Sequence, residues 1–396
     1  MFTNKILLKY SIILLLLVSF FCPFYFYTTN KMTITFSSTC FIAFIISCLL
    51  TWTNVKGKIK PYRWYLFALF IYGSIFLITN ILYLDCYWEM VNRLICFWFL
   101  LRLIQKGELL RSHNIEKWII GISFMAAIFS IALYSLRIEE LSFAGGINYR
   151  IQGQHFIDKR LTYVFSHKAG YGLVLTLLIA FALQNRNCFK TTMQWYIYLG
   201  VMLLTVVLTG SATSWIAVIV LFVFLLLSDV SIKRTKKITI LVLLVLLMLS
   251  PFAVAYLADY LFSHRNLATG GSRFMIWSTA FSFLKTNTIG LGNAYYSTLI
   301  DGVNNFHNVF LNEMLHFSIP IGILYFLQFI YIVCMSYKIK KSKGLFLTGI
   351  WISVFMLLMI DQSLVVSNMP LVIFLIYEVF FYNQKSVNKV KIHSSY

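Results

Sequence analysis

Apolar runs close to twenty residues long recur from one end of this chain to the other, and short polar stretches between them hold most of its charge. A hydrocarbon layer about 30 Å thick takes a helix of roughly twenty residues to cross. Backbone groups inside such a layer must be satisfied within the segment, so the runs predict helices and not strands. Twelve runs stand out, at about 6–27, 33–52, 62–82, 88–105, 117–136, 165–184, 193–209, 213–230, 238–257, 309–337, 344–361 and 366–382. The pattern predicts an all-α polytopic membrane bundle, one domain over residues 1–396. Two longer polar segments, about 137–164 and 258–307, fall on one side of it.

Two departures from the plain pattern carry information. The run 309–337 would extend about 44 Å, too long for a simple crossing. Pro320, one of only five prolines, lies inside it, and a break near Ser318-Ile319-Pro320 is the economical solution. In the second polar segment, Phe274, Trp277, Phe281 and Leu284 recur at helical spacing behind Ser272, a candidate N-cap. This predicts a short helix along the outer interface, ended by the turn chemistry of Asn287-Thr288-Ile289-Gly290-Leu291-Gly292-Asn293. Arg273 would then occupy the first turn, where its charge opposes the helix dipole.

Composition sharpens the membrane reading. With 60% hydrophobic residues, 12% charged residues and a mean hydropathy of +0.80, the chain is not a soluble globular protein. If the amino terminus is cytoplasmic, Lys5 and Lys9, the Lys56, Lys58, Lys60 and Arg63 cluster, Lys106, Arg111, Lys117, Arg186 and Lys190 all fall inside. So do Lys233-Arg234, Lys236-Lys237, Lys338, Lys340, Lys341, Lys343 and the tail with Lys385, Lys389 and Lys391. The alternation predicts both termini inside. It also accounts for the net charge of +20 by a basic face against anionic headgroups, with no nucleic acid partner. Lys5 and Lys9 before the first run fit a signal sequence, but Cys22-Pro23-Phe24-Tyr25 offers no small-residue cleavage site, so the run reads as retained. Five of the seven cysteines (Cys22, Cys40, Cys48, Cys96, Cys334) fall in apolar runs, Cys188 in an inner loop and Cys86 in an outer one. That is no disulfide framework, and the absence of any CxxC or His/Cys ligand spacing argues against a structural metal.

Polar groups are scarce in this chain, so those at the outer edge are candidates for chemistry. Phe306-His307-Asn308 opens the tenth run. A lone His at a helix end is more often structural than catalytic. At a helix start, though, free backbone N–H groups favour an anion, and a neutral imidazole with an unperturbed pKa of about 6.5 can accept a hydroxyl proton. Asn308 could orient the ring or donate to an oxyanion. Arg273 reads either as an interfacial Arg snorkelling to headgroups or as an anion binder. The first outer segment adds Arg150, Lys159, Arg160, His167 and Lys168 against Glu139, Glu140 and Asp158. Solvated, they are ordinary surface; gathered over a cleft, they suit a pyrophosphate, which Arg holds bidentately. Arg93 is the one clear intramembrane base and by default a functional candidate, with ion pairing to Asp85 or Glu89 as the alternative reading.

Three segments, in order, resemble the O-antigen polymerase and ligase superfamily of bacterial polysaccharide assembly. Arg160-Leu161-Thr162-Tyr163-Val164-Phe165-Ser166-His167-Lys168-Ala169-Gly170 is similar to a family segment with a basic residue before a Phe-Ser-His-like turn. Gly271-Ser272-Arg273 through Trp277 to Ile289-Gly290-Leu291-Gly292 is similar to the family's Arg-x-x-x-Trp helix and its Gly-x-Gly end. Phe306-His307-Asn308, with Leu311 and Ile319-Pro320-Ile321-Gly322, is similar to its His-Asn-x-x-Leu segment with a downstream Gly. One departure is Leu208-Thr209-Gly210-Ser211-Ala212-Thr213-Ser214-Trp215, where Ala212 stands at the family's Arg position.

The resemblance implies a metal-independent, inverting glycosyltransferase without a cofactor, in the bacterial inner membrane. It would act on an undecaprenyl-pyrophosphate-linked glycan at the outer face among membrane lipids, with a chain-length regulator and a flippase as candidate partners. His307 would take the acceptor proton and Arg273 would stabilise the departing pyrophosphate. Arg160, Arg150, Lys168, His167, Asn308 and Arg265 would bind substrate, one of the bases replacing the charge missing at Ala212. The divergence at Ala212 favours a polymerase of repeat units, with a ligase to the lipid A-core as the alternative. A twelve-span transporter is the rival from another class, but would carry a longer connection between the sixth and seventh runs and more mid-membrane charge. A non-catalytic scaffold is the bland reading.

Overall fold

Among the described residues, eleven helices form where the apolar runs are densest. They are α1 (Phe2–Phe21), α2 (Ser38–Trp52), α3 (Tyr87–Lys106), α4 (Ile115–Ser135), α5 (Lys168–Gln184), α6 (Thr192–Leu208), α7 (Ala212–Ser228), α8 (Arg273–Thr286), α9 (Val309–His316), α10 (Lys341–Ile360) and α11 (Met369–Ile376). The π-turn Tyr377–Phe381 continues α11. This computed structural model describes residues 2–21, 25–27, 34–52, 87–106, 114–138, 140–143, 147–152, 160–165, 168–228, 273–286, 306, 308–316, 318–320, 322–323, 326–327, 341–360 and 369–381. The runs 62–82 and 238–257 lie outside these residues.

Among the described helices, α4 is long and apolar enough to cross a membrane by length and composition, and shorter apolar helices of 10–17 residues accompany it. Their outward faces are apolar as well: Leu14, Leu17, Phe41, Phe44, Met125 and Leu204 are all exposed. Soluble helices turn such side chains inward, and exposed apolar surface on this scale marks a face that meets lipid or protein. Several buried hydroxyls in the helices are satisfied locally, as by Ser47 Oγ donating to Ala43 O and Thr176 Oγ1 to Gly172 O. That is how a polar group is accommodated where no water competes.

The helical expectation holds for the described residues as a whole, with five short strands added to it. The first run ends its helix at Phe21, six residues before the expected limit, since Pro23 disfavours a helical Cys22. Tyr25–Tyr27 (β1) then pairs antiparallel with Ile34–Ser37 (β2), and α2 begins only at Ser38. In the first long polar segment, Glu140–Phe143 (β3), Ile147–Gln152 (β4) and Arg160–Tyr163 (β5) make an antiparallel sheet in the order β3-β4-β5. The period-two alternation Ile147-Asn148-Tyr149-Arg150-Ile151 is its signature, hidden beside the stronger helical runs.

The chain divides into two compact units, 1–70 with 87–211 and 365–396, and 71–86 with 212–364. In the first, Lys106 Nζ donates to Thr51 O at 3.1 Å, joining the C-terminal ends of α2 and α3. Tyr171 on α5 bonds Ser130 on α4, and Tyr198 on α6 bonds Ser123, at 3.1 and 2.8 Å. Thr191 caps α6 by accepting from Gln194 N, and Gly210, at φ 57°, closes its far end. In the second unit, Ser353 Oγ on α10 donates to Ala217 O on α7 at 2.7 Å, and Gly349 lies so close to Phe224 that a Cβ would collide with that ring.

Candidate functional site

In the second unit the polar bonds converge on Phe306, the residue before His307. Its side chain is 1% exposed, in a cluster with Ala280 and Leu284 of α8 and Leu311 and Leu315 of α9. Burial there leaves its backbone N–H and C=O in need of partners. Trp277 Nε1–H of α8 donates to Phe306 O at 2.9 Å, and Phe306 N–H donates to Asn312 Oδ1 at 3.2 Å. Both backbone groups are thus held by side chains, one from each flanking helix.

Asn308 does the same work on the other side of His307. Its Oδ1 accepts from Phe310 N and Leu311 N at 3.0 and 3.1 Å, an N-cap on α9, and its carbonyl accepts from Asn312 N at 2.9 Å. This corrects one expectation: two N–H groups at the start of α9 are engaged by the cap, so the helix terminus is not an open anion cradle. Asn308 is buried and is first of all a structural cap.

Further along, α9 ends at His316, ahead of Pro320, so the break expected in the long run is present. Gly322 N–H donates to Ser318 O at 3.2 Å, and the chain there packs so closely on α9 that a Cβ on Gly322 would meet Phe310 O at 2.9 Å and collide with Met314. The rings of Phe310, Phe326 and Phe355 gather beside it, with centroids 5.3 to 5.9 Å apart, fixing α9 against α10.

Arg273 is the first residue of α8 and stands one turn, four residues, before Trp277, so the two share a stripe of the helix. The packed face of α8 differs from the expected one. Ala280 and Leu284 are buried, with Ile276, Trp277 and Phe283 packed against them, whereas Phe281 is 54% exposed. Sequence spacing alone could not separate these two adjacent stripes. Ser272, His307, His167 and Arg265 lie outside the described residues.

The other expected binders belong to the first unit. Arg150 on β4 stands opposite Glu140 on β3 and opposite Tyr163 on β5, while Arg160 stands opposite Gln152. The ladder register therefore does not pair the two arginines, and it sets Arg150 across from Glu140. Lys168 is the first residue of α5 and half-buried. Between them the buried Tyr163 has φ 53°, a left-handed conformation that costs a bulky residue about 1–3 kcal/mol. Its ring is held by Tyr171 and Phe129, at centroid distances of 5.6 and 6.4 Å.

Sequence reasoning passed over Trp277 as a hydrogen-bond donor, and over Asn312 and Glu313 altogether. All three polar groups fall in an apolar stretch, and Asn312 and Glu313 are buried there; a buried polar residue in such a stretch is the signal that could have found them. Among the described residues no cluster of three His, Cys, Asp or Glu side chains could hold a metal ion.

Part of this geometry falls inside a known domain. Residues 197–326 match the O-antigen ligase family model. The match supports the O-antigen ligase and polymerase superfamily for this chain, and with it lipid-linked glycan transfer in polysaccharide assembly. Family members are integral proteins of the bacterial inner membrane. The matched O-antigen ligase segment takes in α7, α8, α9 and the bond from Trp277 of α8 to Phe306, ahead of α9. No curated protein and no solved structure matches the chain.

Proposed function

We propose that this protein polymerises undecaprenyl-pyrophosphate-linked oligosaccharide repeat units at the outer face of the inner membrane, through twelve crossings with both termini cytoplasmic. The observation that carries this reading is the 2.9 Å bond from Trp277 Nε1–H to Phe306 O, which ties the helix opened by Arg273 to the residue preceding His307. In the reaction, His307 takes the proton from an acceptor sugar hydroxyl, and that oxygen forms the new bond at the anomeric carbon. The bond from the same carbon to pyrophosphate breaks with inversion, and Arg273 stabilises the charge growing on the leaving group. Pyrophosphate leaves readily, so the scheme routes no step through a metal or cofactor. Arg160, Arg150, Lys168, His167 and Arg265 remain proposed donor contacts, and one of them supplies the charge that Ala212 lacks.

The second reading is a ligase that moves finished glycan onto a lipid A-core, and the description of the matched domain favours it. Glycan analysis of a deletion strain separates the two. A polymerase deletion leaves core capped with single repeats or, in a capsule pathway, no high-molecular-weight glycan. Full-length glycan retained on undecaprenyl pyrophosphate beside bare core would decide for the ligase. Normal glycan with a solute uptake defect would remove both in favour of a transporter.

A further inference from the structure

In the first unit, α2 and α3 run side by side in one direction and keep nearly one register along their contact. At their C-terminal ends Lys106 Nζ donates to Thr51 O at 3.1 Å, across 55 positions of sequence. Farther back the rings of Phe44 and Trp98 meet edge to face, with centroids 5.4 Å apart. Near the start of α2, Cys40 Sγ and Cys96 Sγ stand 4.0 Å apart, across 56 positions. Contacts at almost one offset leave the pair little freedom to slide, so the meeting of the two sulfurs is a fixed feature of the packing. A single buried thiol packs as a small apolar group. Two in contact across a helix pair can also bond, since a disulfide at about 2.0 Å asks each sulfur to move only about 1 Å. Two sulfurs fall short of the four ligands of a structural zinc, and no third His, Cys, Asp or Glu joins them among the described residues.

We propose that Cys40 and Cys96 are a redox modification site, closed into a disulfide between α2 and α3 by exchange with a small organic disulfide. Cys40 is 4% exposed and Cys96 1%, so the first attack falls to Cys40. Its thiol gives up a proton, its sulfur bonds one sulfur of the reagent, and the other reagent sulfur leaves as a thiolate. Cys96 then gives up its proton and attacks the Cys40 sulfur, and the second reagent thiolate leaves. Two protein thiols become one disulfide, one reagent disulfide becomes two thiols, and two electrons and two protons pass to the reagent. Family members sit in the bacterial inner membrane, one side of which faces an oxidising compartment where such exchange proceeds. The bond would staple α2 to α3 at the end opposite the Lys106–Thr51 contact. It lies in the first unit and is independent of the glycan-transfer reading.

The test treats the full chain in native membranes with dithiodipyridine, a small permeant disulfide. The reagent is removed, and the remaining thiols are blocked with a maleimide as the chain is unfolded. Trypsin cuts between the two cysteines at Lys56 and Arg93, so only a new bond can hold fragments 32–56 and 94–102 together. The expected result is that these fragments run as one species, with the bond placed at Cys40 and Cys96 by fragmentation mass spectrometry. Reductant should separate them, and maleimide labelling of both cysteines should fall together to background. Cys48 shares the fragment of Cys40 and serves as the control. Cys48→Ala should keep the link, while Cys40→Ala and Cys96→Ala should each lose it and leave the reagent held on the remaining sulfur. The parent chain gives the decisive reading, so a variant that fails to fold does not alter it. Full maleimide labelling of Cys40 and Cys96 after treatment overturns the site. So does reagent held separately on each sulfur, or a link from either one to a different cysteine.

Discussion

The segment around Phe306, tied to the helix that Arg273 opens, and the sheet β3-β4-β5 are built on different principles. Around Phe306 the chain is held by side chains: Trp277, Asn308 and Asn312 each satisfy a named backbone group in a buried setting. In the sheet the chain is held by its own ladder, and Arg150 sits opposite Glu140 in the register. Side-chain clamps are specific to one geometry and fail when one atom is removed. A ladder tolerates almost any residue at an outward position. Chemistry is therefore better sought in the region whose backbone is fixed at single-atom cost than in the region that merely has more positive charge.

The largest effect that separates the two regions is expected at Arg273. Arg273→Ala should abolish the high-molecular-weight glycan of a complemented deletion strain at near-normal membrane level. Arg273→Lys should rescue poorly, because an ammonium is a point charge without the planar fork. Normal polymer length in Arg273→Ala would remove this residue from the site.

A second test strikes the packing behind the clamp. Gly322→Ala puts a Cβ against Met314 and at 2.9 Å from Phe310 O, a backbone atom that cannot swing aside. The cost should be about 1–3 kcal/mol, read as a lower melting temperature in detergent. An unchanged melting temperature would mean that the turn after α9 is not packed as described.

A smaller effect belongs to the sheet. Arg150→Ala and Arg160→Ala, singly, should each lower glycan by less than about fivefold, the scale of losing one charge contact among several. Abolition by either, at normal protein level, would reverse the contrast and move the donor site to the first unit.

The smallest effect concerns Cys188 and also bears on sidedness. Burial pushes its thiol up from the ordinary value, the neighbouring Glu116 pushes the same way, and Lys117 opposes them. The reactive thiolate is therefore scarcer at neutral pH than in free cysteine. In intact cells an impermeant maleimide should leave Cys188 unlabelled. A permeant one should label it more slowly than free cysteine at pH 7, with the gap closing as pH rises and narrowing in Glu116→Gln. Ready labelling by the impermeant reagent would contradict a cytoplasmic position.

Much of this was legible in the sequence, for reasons that can be stated residue by residue. Helices were readable because twenty apolar residues admit few other structures, and the end of α9 was readable because Pro320 cannot continue a helix. The strands were not, because four- to six-residue alternations such as 147–152 are weak beside such runs. Arg273 and the His307 segment stood out as rare polar groups in apolar surroundings. Their link did not, since the bond from Trp277 to Phe306 spans 29 positions and no local pattern announces it. Nor did the packed face of α8, where Phe281 and Leu284 look equivalent in sequence and only Leu284 is buried.

The central claim is that His307 is the base. His307→Ala decides that, expressed from the native locus, with membrane protein level and surface glycan measured together. The expected result is normal protein and no high-molecular-weight glycan. Normal protein with glycan of parental length and amount would contradict it.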